Sequence, residues 1–419
     1  MDGLPVEVIG NILSHLGAAR DVVVASVVCR KWRQAVRRHL HTLCFSNGDW
    51  TGYREYSAEE LEIIITRTIF QTRSLDDLSI CLGHPVNFSA AAVIAWLLYT
   101  RESLRSLNYM VQTKTSVNIL ETCGKQRLEH LVVGYTAITS FEPSVQRFPV
   151  LQSLTLSRVS ISALDLNLLL SACPKLESLS LQHTDITPPD SQSTMELYSP
   201  TLRAFYVEDL VIDQLIIEAD KLETLFLKDC RFEEFELSCK GSLRVLRIDD
   251  VSTSQLHIAK SIAQLEVVDI KDFTIAWDRF YEVISKATKL RSLRLWGLTI
   301  SGDEEVMDLE TIAVSFPKLL KLALSYNLVE GLVHTALWGS TPLEKVVWLE
   351  LGSTVINEHF AERIGGVLER CPNLKGLVVH GQISEAIGRD DYQMIARFTT
   401  CLVHLMRKFA DIEIDFDYR

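Results

Sequence analysis

Long apolar runs are missing from this chain: no stretch approaches the roughly 18 uninterrupted apolar residues that argue for a membrane-spanning helix. Its start, Met1-Asp2-Gly3-Leu4-Pro5, lacks the charged opening and apolar run of a signal peptide. These absences lead to the expectation of a soluble intracellular protein, in the nucleus and/or cytoplasm, with no membrane partner. Cysteine occurs nine times but never as Cys-x-x-Cys, so the thiols read as reduced, mostly buried small hydrophobes rather than a disulfide framework or zinc site. His39, His41 and Cys44 lie close in sequence but have no fourth ligand, and no metal is expected. Positive charge is also short: 42 Lys and Arg against 54 Asp and Glu leave a net charge of -12, which argues against a general nucleic-acid binder. The phosphate-cradling Gly-x4-Gly-Lys-Ser/Thr, the Gly-x-Ser-x-Gly elbow and His-Glu-x-x-His are absent, so neither catalysis nor a cofactor is indicated.

What the chain does contain is a short phrase that keeps returning. An apolar residue is followed by apolar residues three and five positions later, as in Leu176-Glu-Ser-Leu179-Ser-Leu181 and Leu290-Arg-Ser-Leu293-Arg-Leu295. The phrase starts at Leu75, Leu104, Leu128, Leu151, Leu176, Leu202, Leu222, Leu243, Leu265, Leu290, Leu319, Val346 and Leu374. These thirteen copies lie about 25 residues apart, the period of leucine-rich repeats. Leu40, Leu43 and Phe45 make a shorter, irregular first copy. Ten positions after the phrase begins, nine repeats carry Ile138, Ile161, Ile186, Ile212, Phe232, Ile275, Ile300, Val329 or Ile356. This second apolar column supports the register. The Asn or Cys expected nine positions into a regular repeat is met only by Cys230 and Asn327, so the array is irregular. Repeats starting at Leu202, Leu222 and Leu243 are only 20 to 22 residues long, and Phe232-Glu-Glu-Phe235-Glu-Leu237 suits an extended return. Later repeats have room for helices at Trp277 to Lys289, Glu304 to Phe316 and His359 to Cys371.

Before the repeats, Val8, Ile9, Ile12, Leu13 and Leu16 follow Leu4-Pro5 at helical spacing, and Gly17 ends that helix. Asp21 is placed to cap a second helix through Val22, Val24, Ala25 and Val28, and Arg30 to Arg38 forms a third with Trp32 and Val36 on one face. Three helices in about 35 residues cannot support a core alone, so they must pack on the repeats or on a partner. The series Leu4-Pro-Val-Glu-Val-Ile9, Ile12-Leu13-Ser-His-Leu16, Arg20-Asp21-Val22-Val23 and Val28-Cys29-Arg30-Lys31-Trp32-Arg33 closely resembles an F-box. In that family the motif docks a substrate receptor onto the Skp-type adaptor of SCF ubiquitin ligases. The resemblance implies Leu4, Pro5, Ile9, Leu13, Val28 and Trp32 as the adaptor-binding or motif-core set, with ordinary helix packing as the alternative. Cys173-Pro-Lys-Leu176 and Cys371-Pro-Asn-Leu374 resemble the repeat openings of plant F-box/leucine-rich-repeat proteins.

The expected fold is α/β: a three-helix F-box over 1–42, then an irregular leucine-rich-repeat solenoid of about 13–14 repeats over 43–389, with parallel strands on the concave face. Residues 390–419 form a closing cap, with Tyr392, Ile395, Phe398, Leu402, Leu405 and Phe409 at near-helical spacing and Ile412, Ile414 and Phe416 alternating. Ser57-Ala-Glu-Glu60 is a capping box opening a helix through Leu61, Ile64, Ile65 and Ile69, which covers the first repeat's edge. Thr184 to Ser199, with Pro188-Pro189, reads as an accommodated insertion.

Strand alternation turns the second and third apolar residues of each phrase inward and the residues between them onto the concave face. There the early repeats offer Ser153, Thr155, Ser157, Ser178 and Ser180, and later ones Tyr206, Glu208, Phe226, Lys228, Arg247, Asp249, Asp269, Lys271, Arg294, Trp296, Trp348, Glu350 and His380. Aromatic and Arg side chains supply most binding hot spots, so Tyr206, Phe226, Arg247, Arg294, Trp296 and Trp348 lead as substrate-binding residues. The alternative is a set of solvated pairs, Arg247 with Asp249 or Asp269 and Arg294 with Asp269. The family resemblance implies a non-catalytic receptor that reaches a cullin through its adaptor and holds an unknown protein substrate. The rivals are a repeat scaffold outside any ligase and an enzyme with a site in the concave groove.

Overall fold

The computed structural model describes residues 4–73, 75–83, 86–123, 127–139, 148–187, 193–258, 262–275, 277–297, 299–300, 309–325, 341–355, 358–382 and 389–418. The chain divides into two compact units, Met1–Leu210 and Val211–Arg419.

In the first unit, Pro5 sits at the N-cap of helix α1, Val6–Ser14, where no amide donor is needed. Helix α2 spans Ala19–Val27 and helix α3 Arg30–His39; α3 packs on both of the others. Asp21 lies in the first turn of α2, while Ala18 takes the cap position, so the expected Asp21 cap is not made. Gly10 allows α1 to approach α3 closely: a Cβ there would lie 2.5 Å from the His39 ring. The Gly17 carbonyl accepts from the Cys44 amide at 2.8 Å, tying the helices to the strand Thr42–Ser46.

That strand carries the irregular first copy of the phrase, and it pairs in parallel with Asp77–Cys81 so that Leu43 faces Leu78 and Phe45 faces Ile80. The same unslipped register continues through Ser106–Met110, His130–Gly134, Ser153–Ser157, Ser178–Gln182 and Ala204–Glu208. Within each of these strands the two phrase residues are buried and the residue between them is half-exposed, as strand alternation requires. The capping box forms on both sides, with the Glu60 amide donating to Ser57 Oγ at 3.3 Å and the Ser57 amide to Glu60 Oε2 at 2.9 Å. It opens helix α4, Ala58–Gln71, whose Leu61, Ile65 and Ile69 are buried. Thr194–Tyr198, inside the expected insertion, is a strand with Met195 and Leu197 buried, so this part of the segment is ordered and contributes to the core.

In the second unit the parallel sheet runs through Thr224–Ser238, Val245–Ile258, Val267–Ile275, Ser292–Trp296, Lys321–Ser325, Trp348–Val355, Gly376–Gln382 and Glu413–Tyr418. The short repeats do return extended: Val211–Glu218 pairs with Arg231 to Ser238, and Phe232 and Phe235 stack with ring centroids 6.0 Å apart. The later repeats return as helices at Trp277–Ile284, Leu309–Ser315 and Glu358–Glu369. Residues 304 to 308 of the expected second helix, and Asn327, Val329 and Ile356 of the expected columns, lie outside the described residues. Of the second apolar column, Ile138, Ile161, Ile186, Ile212 and Phe232 are buried. The C-terminal segment forms the helix Arg389–Lys408, with Phe398 and Leu402 buried and Tyr392 exposed. It then adds a further strand, with Ile414 opposite Leu377 and Phe416 opposite Val379.

One recurrent feature was not legible from the phrase. The residue seven positions after its first leucine is left-handed in eight successive repeats: Tyr135, Arg158, His183, Asp209, Asp229, Asp250, Asp272 and Gly297. In the first unit the amides of Tyr135, Arg158 and His183 still donate to Ser157, Gln182 and Glu208 carbonyls at 2.8–3.1 Å. The turn therefore leaves the strand without wasting a donor. Cys230, the consensus-like residue, donates its thiol to the Lys228 carbonyl at 3.0 Å. Asp, like Asn, tolerates the left-handed region better than most residues with a Cβ, and a β-branched side chain tolerates it worst. Asp250→Gly should stay within about 0.5 kcal/mol of wild type, while Asp250→Val should lose about 1–2 kcal/mol, read from urea midpoints.

Candidate functional site

Two surfaces stand out, one in each unit. On the N-terminal helices, Ile9 and Leu13 are fully buried, so they hold α1 against its neighbours and do not present surface. Of the expected adaptor-binding or motif-core set they take the core side, since helical spacing puts them on the inner stripe. Leu4, Pro5 and Val28 are exposed, and Trp32 is half-buried with its indole N–H buried and unpartnered. Beside them the structure uncovers residues that the sequence reading did not single out as surface. Leu4, Val8 and Ile12 are spaced four apart, and α2 leaves Val23, Val24 and Val27 in solvent, Val27 at 67% exposure. Scattered apolar residues on a surface are ordinary, but two short helices that both expose aliphatic rows are not. The legible signal was α2 itself, where Val22, Val23, Val24, Val27 and Val28 exceed one helix stripe.

On the sheet face opposite the leucines, the sequence-chosen residues separate. Tyr206 belongs to the first unit, half-buried, with its hydroxyl donating to Glu208 Oε2 at 2.6 Å. The other five belong to the second unit. Phe226 is half-buried and Arg247 exposed, and Arg247 lies directly opposite both Phe226 and Asp269 in the strand register. Arg294 does not make the pair with Asp269 that the alternative reading offered. Its Nη2 donates to Glu350 Oε1 at 3.1 Å, and its guanidinium lies 5.3 Å from the Trp296 ring.

Small residues explain this longer reach. Ala323 faces both Arg294 and Glu350 on the strand between them, so a long side chain crosses over it. Glu350 Oε1 also accepts from His380 Nε2 at 2.8 Å, and His380 Nδ1 faces Asp417 Oδ2 at 3.1 Å. Trp296 meets the His380 ring edge-on at 5.4 Å. Gly352 makes room for His380, and Gly376 for Trp348, whose ring would lie 2.5 Å from an added Cβ. Arg294, Glu350, His380 and Asp417 thus form one chain of contacts, against which Trp296 is held. Trp348 remains the exposed aromatic group, at 40% exposure. Glu350 and His380 stood in the sequence row, but the Ala and Gly positions that let distant strands meet carried no signal of their own.

The chemistry of this face is that of contact and charge. Burial pushes the Asp269 carboxyl above the ordinary range, against the pull of Arg294 and Arg247. Burial likewise pushes the Cys173 and Cys371 thiols up to about 12 and Cys44 to about 11, so these thiols stay protonated and are poor nucleophiles near neutral pH. Among the described residues no group of His, Cys, Asp or Glu is arranged to hold a metal ion, and no helix is long and apolar enough to cross a membrane.

A raised folded-state value means that Asp269 favours folding when protonated and costs stability as pH rises through that value. Asp269→Asn should therefore melt higher than wild type near pH 7. The difference should close as pH falls below about 4, the unfolded carboxyl range, in thermal melts across that window.

Comparison with known proteins agrees with this architecture. Residues 1–46 match the F-box-like family, and residues 102–268 match the repeat family described as FBD-associated F-box protein At5g56370, LRR repeats. The chain is 53% identical to F-box/LRR-repeat protein At1g67190 of Arabidopsis thaliana, over 100% of both chains. It is 22% identical to F-box protein At1g10780 of the same plant, over 85% of this chain and 83% of that one. An internalin from Listeria monocytogenes aligns over 86% of this chain and 89% of its own, with a TM-score of 0.34 at 14% identity, too distant to argue from. With helices built on the F-box pattern, a parallel sheet built on the leucine phrase and a full-length relative of both parts, the chain belongs to the F-box/leucine-rich-repeat family.

Proposed function

We propose that this protein is the substrate-recognition subunit of an SCF-type ubiquitin ligase. Its F-box helices dock a Skp-type adaptor and, through it, a cullin, and its repeats hold a protein target. The observation that carries the reading is the uncovered aliphatic surface of α1 and α2, from Leu4, Val8 and Ile12 to Val27 and Val28. A docked adaptor would remove these side chains from water; left bare, they are a liability. The target is assigned to the open sheet face of the second unit, with Trp348, Arg247 and Phe226 as anchors together with Trp296 and Arg294. The protein acts by positioning: joining adaptor and target through one chain raises the target's effective concentration at the charged enzyme. It is non-catalytic in this role, and it works in the nucleus and/or cytoplasm.

Co-expression with a Skp-type adaptor tests the adaptor half. Wild type should co-elute 1:1 in size-exclusion chromatography. Val27→Asp plus Val28→Asp, at exposed positions, should fold normally and elute alone, as should Leu4→Ala plus Pro5→Ala. If wild type stays alone with folded repeats, the scaffold reading replaces this one. For the target half, Trp348→Ala and Arg247→Ala should reduce capture of ubiquitinated proteins while leaving adaptor co-elution unchanged, measured by affinity purification from cells in which the proteasome is inhibited.

A further inference from the structure

Beside the helices the first unit contains a half-open cleft whose walls include the uncovered Val23 and Val24. A cavity of about 340 Å³ lies between the N-terminal half of α2, the segment Trp50–Tyr56 and helix α4. Val23 and Val24 form one wall, Trp50 and Tyr56 the second, and Ile64 the third. Its size falls at the lower end of small-molecule sites, and its lining has the expected character: apolar walls with very few polar groups.

The walls are built in advance. The α2 side is clamped to the sheet by the Cys44 amide on the Gly17 carbonyl and by a bridge between Ala18 and Cys44. Trp50 is held edge-on against Tyr53 at 4.8 Å and tilted against Tyr56 at 5.9 Å. Gly52 lets the indole fold back, since a Cβ there would lie 2.5 Å from its ring. Tyr53 is buried, and desolvation leads the causes that push its hydroxyl up to about 12, so it remains neutral near physiological pH.

Among the described residues the one charged side chain in the lining is Arg20. Its guanidinium lies 5.7 Å from the Trp50 ring, and no carboxylate forms an ion pair with it among the described residues. A cation over an aromatic face keeps its N–H groups available at the edge, in the fork that matches a carboxylate. Apolar walls alone would suit a hydrocarbon, and a doubly charged phosphate would call for more than one cation. An apolar body with a single negative end satisfies both the walls and the guanidinium.

We infer that the cleft between α2, Trp50–Tyr56 and α4 is a binding site for a small apolar carboxylate, its acid group on Arg20 and its body between Val23, Val24, Trp50 and Ile64. Val23 and Val24 belong both to this cleft and to the uncovered face of α2, but the inference does not require an adaptor to bind there. It stands or falls on the first unit's own cavity.

The test uses the full chain and two probes of equal shape, 4-tert-butylbenzoate and the corresponding neutral alcohol, titrated by calorimetry with ligand-observed NMR as a second readout. The acid should bind saturably, and the alcohol at least about tenfold more weakly, because it lacks the charge-assisted bonds to the guanidinium. Arg20→Gln should weaken the acid by a similar factor and leave the alcohol unchanged. Val24→Trp, at a position 56% exposed and so tolerant of a large side chain, should fill the cleft and abolish binding of both probes without lowering the melting temperature. The inference is overturned by absence of saturable acid binding at millimolar concentration, by equal affinity for acid and alcohol, or by binding that survives Val24→Trp. Displacement of the acid by a saturating Skp-type adaptor would also overturn it, assigning the cleft to a protein side chain.

Discussion

A five-residue parallel strand buries only two side chains on one face and leaves both edges open, so no single repeat of this chain is stable by itself. Everything else depends on lateral pairing without slip. Leu43 must face Leu78, Leu154 must face Leu179 and Leu246 must face Val268, strand after strand. Burying a leucine is worth roughly 1.5–3 kcal/mol, and a slip of one residue would turn both inward positions of a strand to water. The phrase is therefore rigid in spacing even where its outer half changes from helix to extended return. The left-handed residue at its end meets the same demand, turning the chain away while its amide stays on the neighbouring strand.

Because the leucines carry the register, the opposite face is released from packing duty. In the second unit that freedom is used to combine side chains from well-separated strands. Ala323, Gly352 and Gly376 lower the floor, and the long groups on either side reach across it. The result is an electrostatically matched surface in which Arg294 and His380 share Glu350, and Trp348 is left exposed. An exposed aromatic on a rigid, pre-arranged floor loses little conformational entropy on binding, which is what a recognition surface needs.

The N-terminal helices follow a different rule. Their inner stripe, Ile9, Leu13, Val22, Ala35 and Val36, is buried, but so small a core leaves the outer aliphatic residues without cover. The same α2 that offers Val27 and Val28 outward also closes one wall of the cleft against Trp50 and Tyr56. The helices and the first repeat are thus joined through a strand bridge and an aromatic cluster, a closer connection than a linker would provide.

The amino-acid sequence by itself determined the repeat, its register, the change from extended to helical returns, the capping box at Ser57 and Glu60, and the F-box pattern. All of these are local in spacing, so periodicity and neighbouring residue types were enough to reveal them. The closing strand Glu413–Tyr418 was only half legible, because Asp411 stands where its opening leucine would be. Tertiary structure decided which apolar residues of the F-box face inward, since Ile9 and Val8 look alike in a helical pattern. It also decided that Arg294 meets Glu350 rather than Asp269, because that choice turns on the missing side-chain bulk at Ala323. The cleft beside Arg20 is of the same kind: three segments that are apolar for separate local reasons border one half-open space only when the chain has folded.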